Sequence, residues 1–249
     1  MTDRRNLKLT LEYDGSGFAG WQIQPKLRTV QTELENAILK LTGEPTRIMG
    51  AGRTDAGVHA LGQVASFHTN SPHPCGIFEA ALNALLPDDI RVISAEEVNP
   101  VFDARRDATG RTYRYVLLRH PRVIGRQYAW YPRIDFDLDA MQKATLYLVG
   151  EHAFSAFCKI RSAVGSCIST VDSATWTEED GMCCFDITGI RFFHNMIRIL
   201  VGTLLEVGAG RMSADTFEQI LNEGDRNRAG PTAPPRGLFL VRVDYNKRN

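Results

Sequence analysis

The chain reads as an α+β protein, with two ferredoxin-like β-α-β-β-α-β halves forming one extended, mainly antiparallel sheet. Helices are expected on one face, with a central active-site cleft. Three observations predict this. The same order of strand-like and helix-like segments runs through the chain twice, without a shared residue motif. The 249 residues suit one large domain or two small ones and can bury a sizeable core without staples. An Asp180-Gly181 turn between two strand-like runs marks an antiparallel hairpin. The halves are expected at residues 1–104 and 105–249, with the site in the cleft between them.

The elements follow in order. A strand covers Leu7 to Tyr13. A helix near Val30 to Leu41 places Val30, Leu34, Ile38 and Leu41 on one face. Short strands lie near Thr46 to Met49 and Gly62 to Thr69, the second showing alternation. A helix near Ile77 to Leu86 is stopped by Pro87, and a strand near Arg91 to Ala95 closes the half. The second half opens with a strand, Thr112 to Leu118. A helix from Leu138 to Val149 aligns Leu138, Met141, Thr145 and Leu148, with Gly150 as its C-cap. Strands at Val171 to Trp176 and Cys183 to Thr188 flank the Asp-Gly turn. An amphipathic helix runs from about Phe193 to Val207 and ends at Gly208. An additional helix lies near Ala214 to Asn222, and the last strand is Leu238 to Tyr245.

Composition excludes several classes. The five cysteines, Cys75, Cys158, Cys167, Cys183 and Cys184, form no C-x-x-C pair, which disfavours a zinc site or a disulfide framework. They suit a reducing, cytoplasmic setting. The N-terminus leads into a strand and not into a signal-peptide core, and no apolar run approaches the ~18 residues that span a bilayer. Twenty-nine basic residues balance 29 acidic ones, which by totals argues against a nucleic-acid partner. The distribution argues otherwise. Residues 105 to 126 hold seven arginines against one acid, Asp107, with Tyr113 and Tyr115 interleaved. Phosphate contact with base stacking competes there with an ordinary solvated strand face.

Residues 50 to 68 carry the densest chemical signal: Gly50, Gly52 and Gly57 surround Arg53-Thr54-Asp55, and a strand leaves the loop. Two readings of Asp55 stand evenly at this point. It is a turn residue bonding nearby amides, or a nucleophile or general base kept ionised by Arg53. Gly15-Ser-Gly17-Phe-Ala-Gly20 fits the dinucleotide fingerprint but opens no helix, so a structural or substrate-contacting loop is expected. Tyr13, Phe18 and Trp21 either stack on bases or pack under that loop. His59 and His194 read as structural hydrogen-bonders, and no His/Cys spacing points to a metal. Tyr113 is a strand aromatic sharing a face with Tyr115. Arg198, among Met196, Ile197, Leu200 and Val201, needs a partner if buried, and Asp55 is one candidate.

From about Leu9 to Tyr245 the chain resembles the TruA family of bacterial tRNA pseudouridine synthases. The landmarks are Glu-Tyr-Asp-Gly at 12–15, Gly-Trp-Gln at 20–22, Gly-Arg-Thr-Asp-Ala-Gly-Val-His at 52–59 and Gly-Gln-Val at 62–64. Asn-Ala-Leu-Leu-Pro at 83–87, Phe-Asp-Ala-Arg at 102–105, Tyr-Arg-Tyr at 113–115, Met-Ile-Arg at 196–198, Val-Gly at 201–202 and Gly-Leu-Phe-Leu at 237–240 follow. The resemblance implies isomerisation of uridine to pseudouridine at positions 38, 39 and 40 of the tRNA anticodon arm. It implies a homodimer with no cofactor, metal or membrane partner. By the match, Asp55 is the nucleophile, Tyr113 contacts the target base, Arg53 holds the flipped nucleotide and Arg198 pairs with the aspartate. Arg105 and Arg111 are expected to grip the RNA backbone. A catalytically silent tRNA-binding protein is disfavoured because Asp55, Arg53, Tyr113 and Arg198 are all present. A nucleotide-dependent enzyme is disfavoured by the missing helix after Gly20.

Overall fold

The computed structural model describes residues 4–159 and 167–246. Contacts divide the chain into two units, Met1–Thr109 with Phe239–Asn249, and Gly110–Leu238. Together they hold an α+β arrangement with mostly antiparallel strand pairing.

The first unit is built on β1 (Arg5–Tyr13), whose Leu7, Leu9 and Leu11 are fully buried. It runs antiparallel to β3 (His59–Thr69) on one side and to β4 (Ile90–Val98) on the other, with Leu9 opposite Ala65 and Ala95. The short β2 (Met49–Gly50) pairs with the far end of β3 at Ser66 and Ala65. Helix α1 (Val30–Thr42) starts at an N-cap threonine, Thr29, whose hydroxyl accepts the Thr32 amide, and ends at left-handed Gly43. Its Val30, Leu34 and Ile38 are buried, and it packs beside α2 (Cys75–Leu85), which turns extended at Leu86 before Pro87. Phe67 of β3 meets Phe78 of α2 edge to face at 6.0 Å. The closing strand β9 (Leu238–Tyr245) pairs in parallel with β3, His59 opposite Phe239.

In the second unit β5 (Ala108–Leu118) pairs with β8 (Met182–Gly189), β8 with β7 (Ile168–Glu179), and β7 with β6 (Gly150–Ala153), all antiparallel. Asp180 and Gly181 both take positive φ, 49° and 71°, as the expected two-residue hairpin turn requires. Helices α3 (Leu138–Thr145), α4 (Met196–Gly208) and α5 (Ala214–Glu223) pack on one another. Helix α4 is buried at nearly every position. No helix among the described residues is long and apolar enough to cross a membrane.

Several elements differ from the sequence reading. The strand expected at Thr46 to Met49 shrinks to Met49–Gly50. The Ile48 backbone is taken by side chains of α1: its N–H donates to Glu35 and its carbonyl accepts from Gln31. Gly150 does not cap α3. The helix stops at Thr145 and tightens into a single 3₁₀ turn, while Gly150, at φ 112°, opens β6. That four-residue strand was too short to be read from its sequence. Helix α4 begins at Met196 and not near Phe193, because Asn195 adopts a left-handed conformation. The sequence boundary at 104/105 leaves the last strand with the second half, whereas its contacts group it with the first unit through β3.

Candidate active site

The loop from Ala51 to Val58 is held by backbone and buried polar groups on all sides. Ala51 N–H donates to Val64 O at 2.8 Å, and Gln63 clamps Gly52, donating to its carbonyl at 2.8 Å. Thr54 is buried. Its carbonyl accepts from Trp21 N–H at 3.1 Å, and its hydroxyl lies 2.8 Å from that of Tyr13. The Tyr13 hydroxyl also accepts from Gln63. Burial pushes the Tyr13 phenol up to about 12, so it stays protonated and able to donate at neutral pH.

Asp55 opens a β-turn in which Val58 N–H returns to the Asp55 carbonyl at 3.1 Å, and Gly57 takes φ 76° at the third position. Few residues other than glycine take that conformation in such a turn. The glycines of the 15–20 loop serve the same end by allowing close approach. A Cβ on Gly15 would lie 2.0 Å from the Val58 carbonyl oxygen, and one on Gly20 2.7 Å from that of Thr54. The 15–20 segment is therefore a platform for the Asp55 loop. Tyr13, Phe18 and Trp21 are buried beneath it, 3%, 4% and 2% exposed, so of their two readings packing is the one observed. His59 is likewise structural: its Nδ1 accepts from Gly15 N–H at 3.1 Å, and its ring stacks on Phe239 at 4.8 Å.

The sequence-derived site residues fall in both units. Arg53, Asp55 and Arg105 lie in the first. Asp55 is half-buried and Arg53, two residues before it on the same loop, is exposed. Arg105 is exposed, its amide bonded to the Asp103 carboxylate. Tyr113, Arg111 and Arg198 lie in the second. Tyr113 is 7% exposed on β5, and its ring meets Phe192 edge to face at 5.2 Å. Arg111 donates to the Ile190 carbonyl. Arg198 lies on α4, where its Nε donates to the Ala233 carbonyl at 2.7 Å and its Nη1 to Asn195 Oδ1 at 2.8 Å.

The arginine run is less basic than its composition. Arg114 forms a two-pronged pair with Asp186, Arg119 with Glu178, and Arg106 an ion pair with Asp103. These carboxylates stand on β8, on β7 and in the turn before β5. Tyr115 is core, its hydroxyl donating to Pro234 O at 2.8 Å.

Against this geometry, a family model described as tRNA pseudouridine synthase matches residues 10–106 and 144–246. The chain belongs to the tRNA pseudouridine synthase family. A tRNA pseudouridine synthase A of Acetivibrio thermocellus is 45% identical over 97% of this chain and 100% of its own length. Those of Clostridium kluyveri and Caldicellulosiruptor bescii are each 44% identical over 97% of this chain and their full lengths. The resemblance expected from the motifs holds, as does the catalytic class, an isomerase.

In the first unit the Asp55 carboxylate rides on a hydrogen-bonded turn; in the second, Tyr113 packs against Phe192 and the Arg198 guanidinium donates to Ala233 and Asn195. Among the described residues no cluster of three or more His, Cys, Asp or Glu side chains is arranged to hold a metal. Sequence reasoning named Tyr13 only as stacking on bases or packing under the 15–20 loop, and it missed Gln63, which joins Tyr13 beneath the 51–58 loop, and Asn195 and Ala233 beside Arg198. A signal existed for Tyr13 and Gln63, since they fall inside the Glu-Tyr-Asp-Gly and Gly-Gln-Val landmarks.

Proposed function

We propose that the protein converts uridine to pseudouridine at positions 38, 39 and 40 of the tRNA anticodon arm, with Asp55 as nucleophile. The observation that carries this is the Asp55 turn. The loop backbone around it is fixed by Trp21, Val58 and Gln63, with Tyr13 bonded to the Thr54 hydroxyl, so the Cα that carries the carboxylate is held in place. The reaction is an isomerisation. The N1–C1′ bond breaks, the uracil turns, and a C5–C1′ bond forms; C5 loses a proton and N1 gains one. The target base must leave the stack, at a cost of a few kcal/mol.

In this reading the Asp55 carboxylate adds covalently to the nucleotide and is released at the end. Tyr113 stacks on the base and its hydroxyl accepts the C5 proton. Arg53 holds the flipped nucleotide, Arg198 pairs with the nucleophile, and Arg105 and Arg111 grip the backbone, with affinity falling as salt rises. A homodimer working in the cytoplasm, one subunit gripping the tRNA body while the other acts on the loop, completes the proposal.

The test is direct. Purified protein incubated with unmodified tRNA carrying uridine at 38–40, with nothing else added, is expected to yield pseudouridine at those positions. No product overturns the reading. Asp55→Asn is expected to abolish product while leaving tRNA binding largely intact; surviving activity removes Asp55 as the nucleophile.

A further inference from the structure

We infer that Asn195 is a positioning residue whose side chain sets the orientation of Arg198. The inference rests on the proposed role of Arg198 at the target nucleotide.

Asn195 has φ 62° and ψ 2°, a left-handed conformation that glycine adopts freely and asparagine tolerates better than most side chains. It stands at the N-cap of α4, where an asparagine oxygen ordinarily accepts a backbone N–H of the first turn. That bond is absent here. The helix starts without it, Ile199 N–H bonding the Asn195 carbonyl at 2.9 Å. The side-chain Oδ1 accepts instead from Arg198 Nη1 at 2.8 Å. The position thus carries a residue costlier than glycine for its backbone and leaves the usual cap unmade, and what the side chain gains is the guanidinium.

The Ala233 acceptor is rigid. Arg198 Nε donates to the Ala233 carbonyl at 2.7 Å, and Ala233 N–H returns to the Arg198 carbonyl at 3.0 Å. Ala233 is 1% exposed. The segment before it is locked to α4: Gly230 N–H donates to Thr203 Oγ1 at 2.9 Å, and a Cβ on Gly202 would lie 1.7 Å from the Pro231 carbonyl oxygen. Two acceptors on different guanidinium nitrogens fix both the swing of the side chain and the plane of the fork. Removing Oδ1 deletes the acceptor on Nη1, and with it one of the constraints on the plane of the fork. A misplacement of about 1 Å in a group acting on a reacting centre costs on the order of 100-fold in rate.

The experiment uses Asn195→Gly, Asn195→Ala, Asn195→Asp and Arg198→Ala in the full chain, with turnover on tRNA, KM and thermal melting measured for each. Asn195→Gly keeps the backbone conformation and removes only the acceptor. It is expected to melt close to the parent, to lose about 10- to 100-fold in kcat, and to keep KM within about threefold. Asn195→Asp retains an acceptor and is expected to recover most of the loss. Should Asn195→Gly melt well below the parent, the same comparison is made between Asn195→Asp and Asn195→Ala below both midpoints. Arg198→Ala separates the two ideas. If it turns over normally, the role assigned to Arg198 fails. If it is inactive while Asn195→Gly, or Asn195→Ala in the fallback, matches the parent in kcat, the positioning inference is overturned.

Discussion

Asp55 is placed by neighbours more than by anything intrinsic to it, and Tyr13 is the most consequential of them. Its hydroxyl sits 2.8 Å from the Thr54 hydroxyl and accepts from Gln63, which in turn holds Gly52 on the other side of Arg53. Tyr13→Phe keeps the ring in its buried slot and deletes one oxygen, leaving the Thr54 hydroxyl and the Gln63 amide short of a partner in a site water does not reach. The expected cost is about 1 to 3 kcal/mol of stability, the penalty for an unsatisfied buried polar group. Turnover is expected to fall with little change in tRNA affinity, since Tyr13 is 3% exposed and cannot touch RNA. A variant with unchanged melting and unchanged kcat would show that the hydroxyl plays no part in shaping the loop. The arginines teach the complementary lesson. The composition of the run holding Arg114 and Arg119 left phosphate contact open beside a solvated strand face, and in the structure Asp186 and Glu178 pair with them, partners 72 and 59 residues away in sequence.

At the scale of elements, the 15–20 loop and the 51–58 loop form one construction, and glycine makes their contact possible. Gly15→Ala would place a Cβ 2.0 Å from the Val58 carbonyl oxygen, a backbone atom that cannot step aside without moving the Asp55 turn. The expected outcome is a stability loss of about 2 to 4 kcal/mol with a collapse of turnover, an overpacking cost at a site that cannot relax. Gly43→Ala is the control. Nothing lies within 4 Å of its Cβ, so only its left-handed φ of 72° is strained, and about 1 kcal/mol with normal turnover is expected. Equal effects from the two, by melting and by pseudouridine assay, would remove the coupling between the loops. This also shows what the sequence made legible. The glycine-framed Asp55 loop, the buried Val30, Leu34 and Ile38 of α1 and the Asp180-Gly181 turn follow from local chemistry, which a sequence carries openly; the amphipathic face expected of α4 does not appear, since that helix is buried nearly all round. The strand at 46–49 and the start of α4 do not, because each is decided by a distant or conformational partner: Glu35 and Gln31 for Ile48, and the left-handed Asn195 for α4. Tyr113 entered as a site candidate through resemblance, since nothing in its own segment distinguishes a site residue from a core one, whereas Arg198 stood out as an arginine among apolar neighbours and took only its role from the resemblance.

Among the described residues each unit holds a buried tyrosine whose hydroxyl resists ionisation, Tyr13 in the first and Tyr115 in the second, and this predicts how stability responds to alkali. In the first unit burial raises Tyr13 from near 10 to about 12. In the second, burial also pushes Tyr115 up, outweighing the opposing pull of Arg198 and Arg236. Both phenols keep their protons in the folded chain beyond the pH at which the unfolded chain gives them up. Above pH ~10 the unfolded state therefore binds fewer protons, and stability falls as pH rises. For Tyr13 the contribution is fully present below about pH 10 and is lost progressively as the pH rises toward about 12. The stability lost across that window is on the order of 2 to 3 kcal/mol. Denaturant titrations at fixed intervals from pH 8 to 11.5 are expected to show stability flat to about pH 10 and declining above it. Tyr13→Phe starts lower at neutral pH and declines less steeply, and Tyr13→Phe combined with Tyr115→Phe is the flattest of the three. If the double variant loses stability with alkali as steeply as the parent, the buried tyrosines are not the groups that titrate on unfolding.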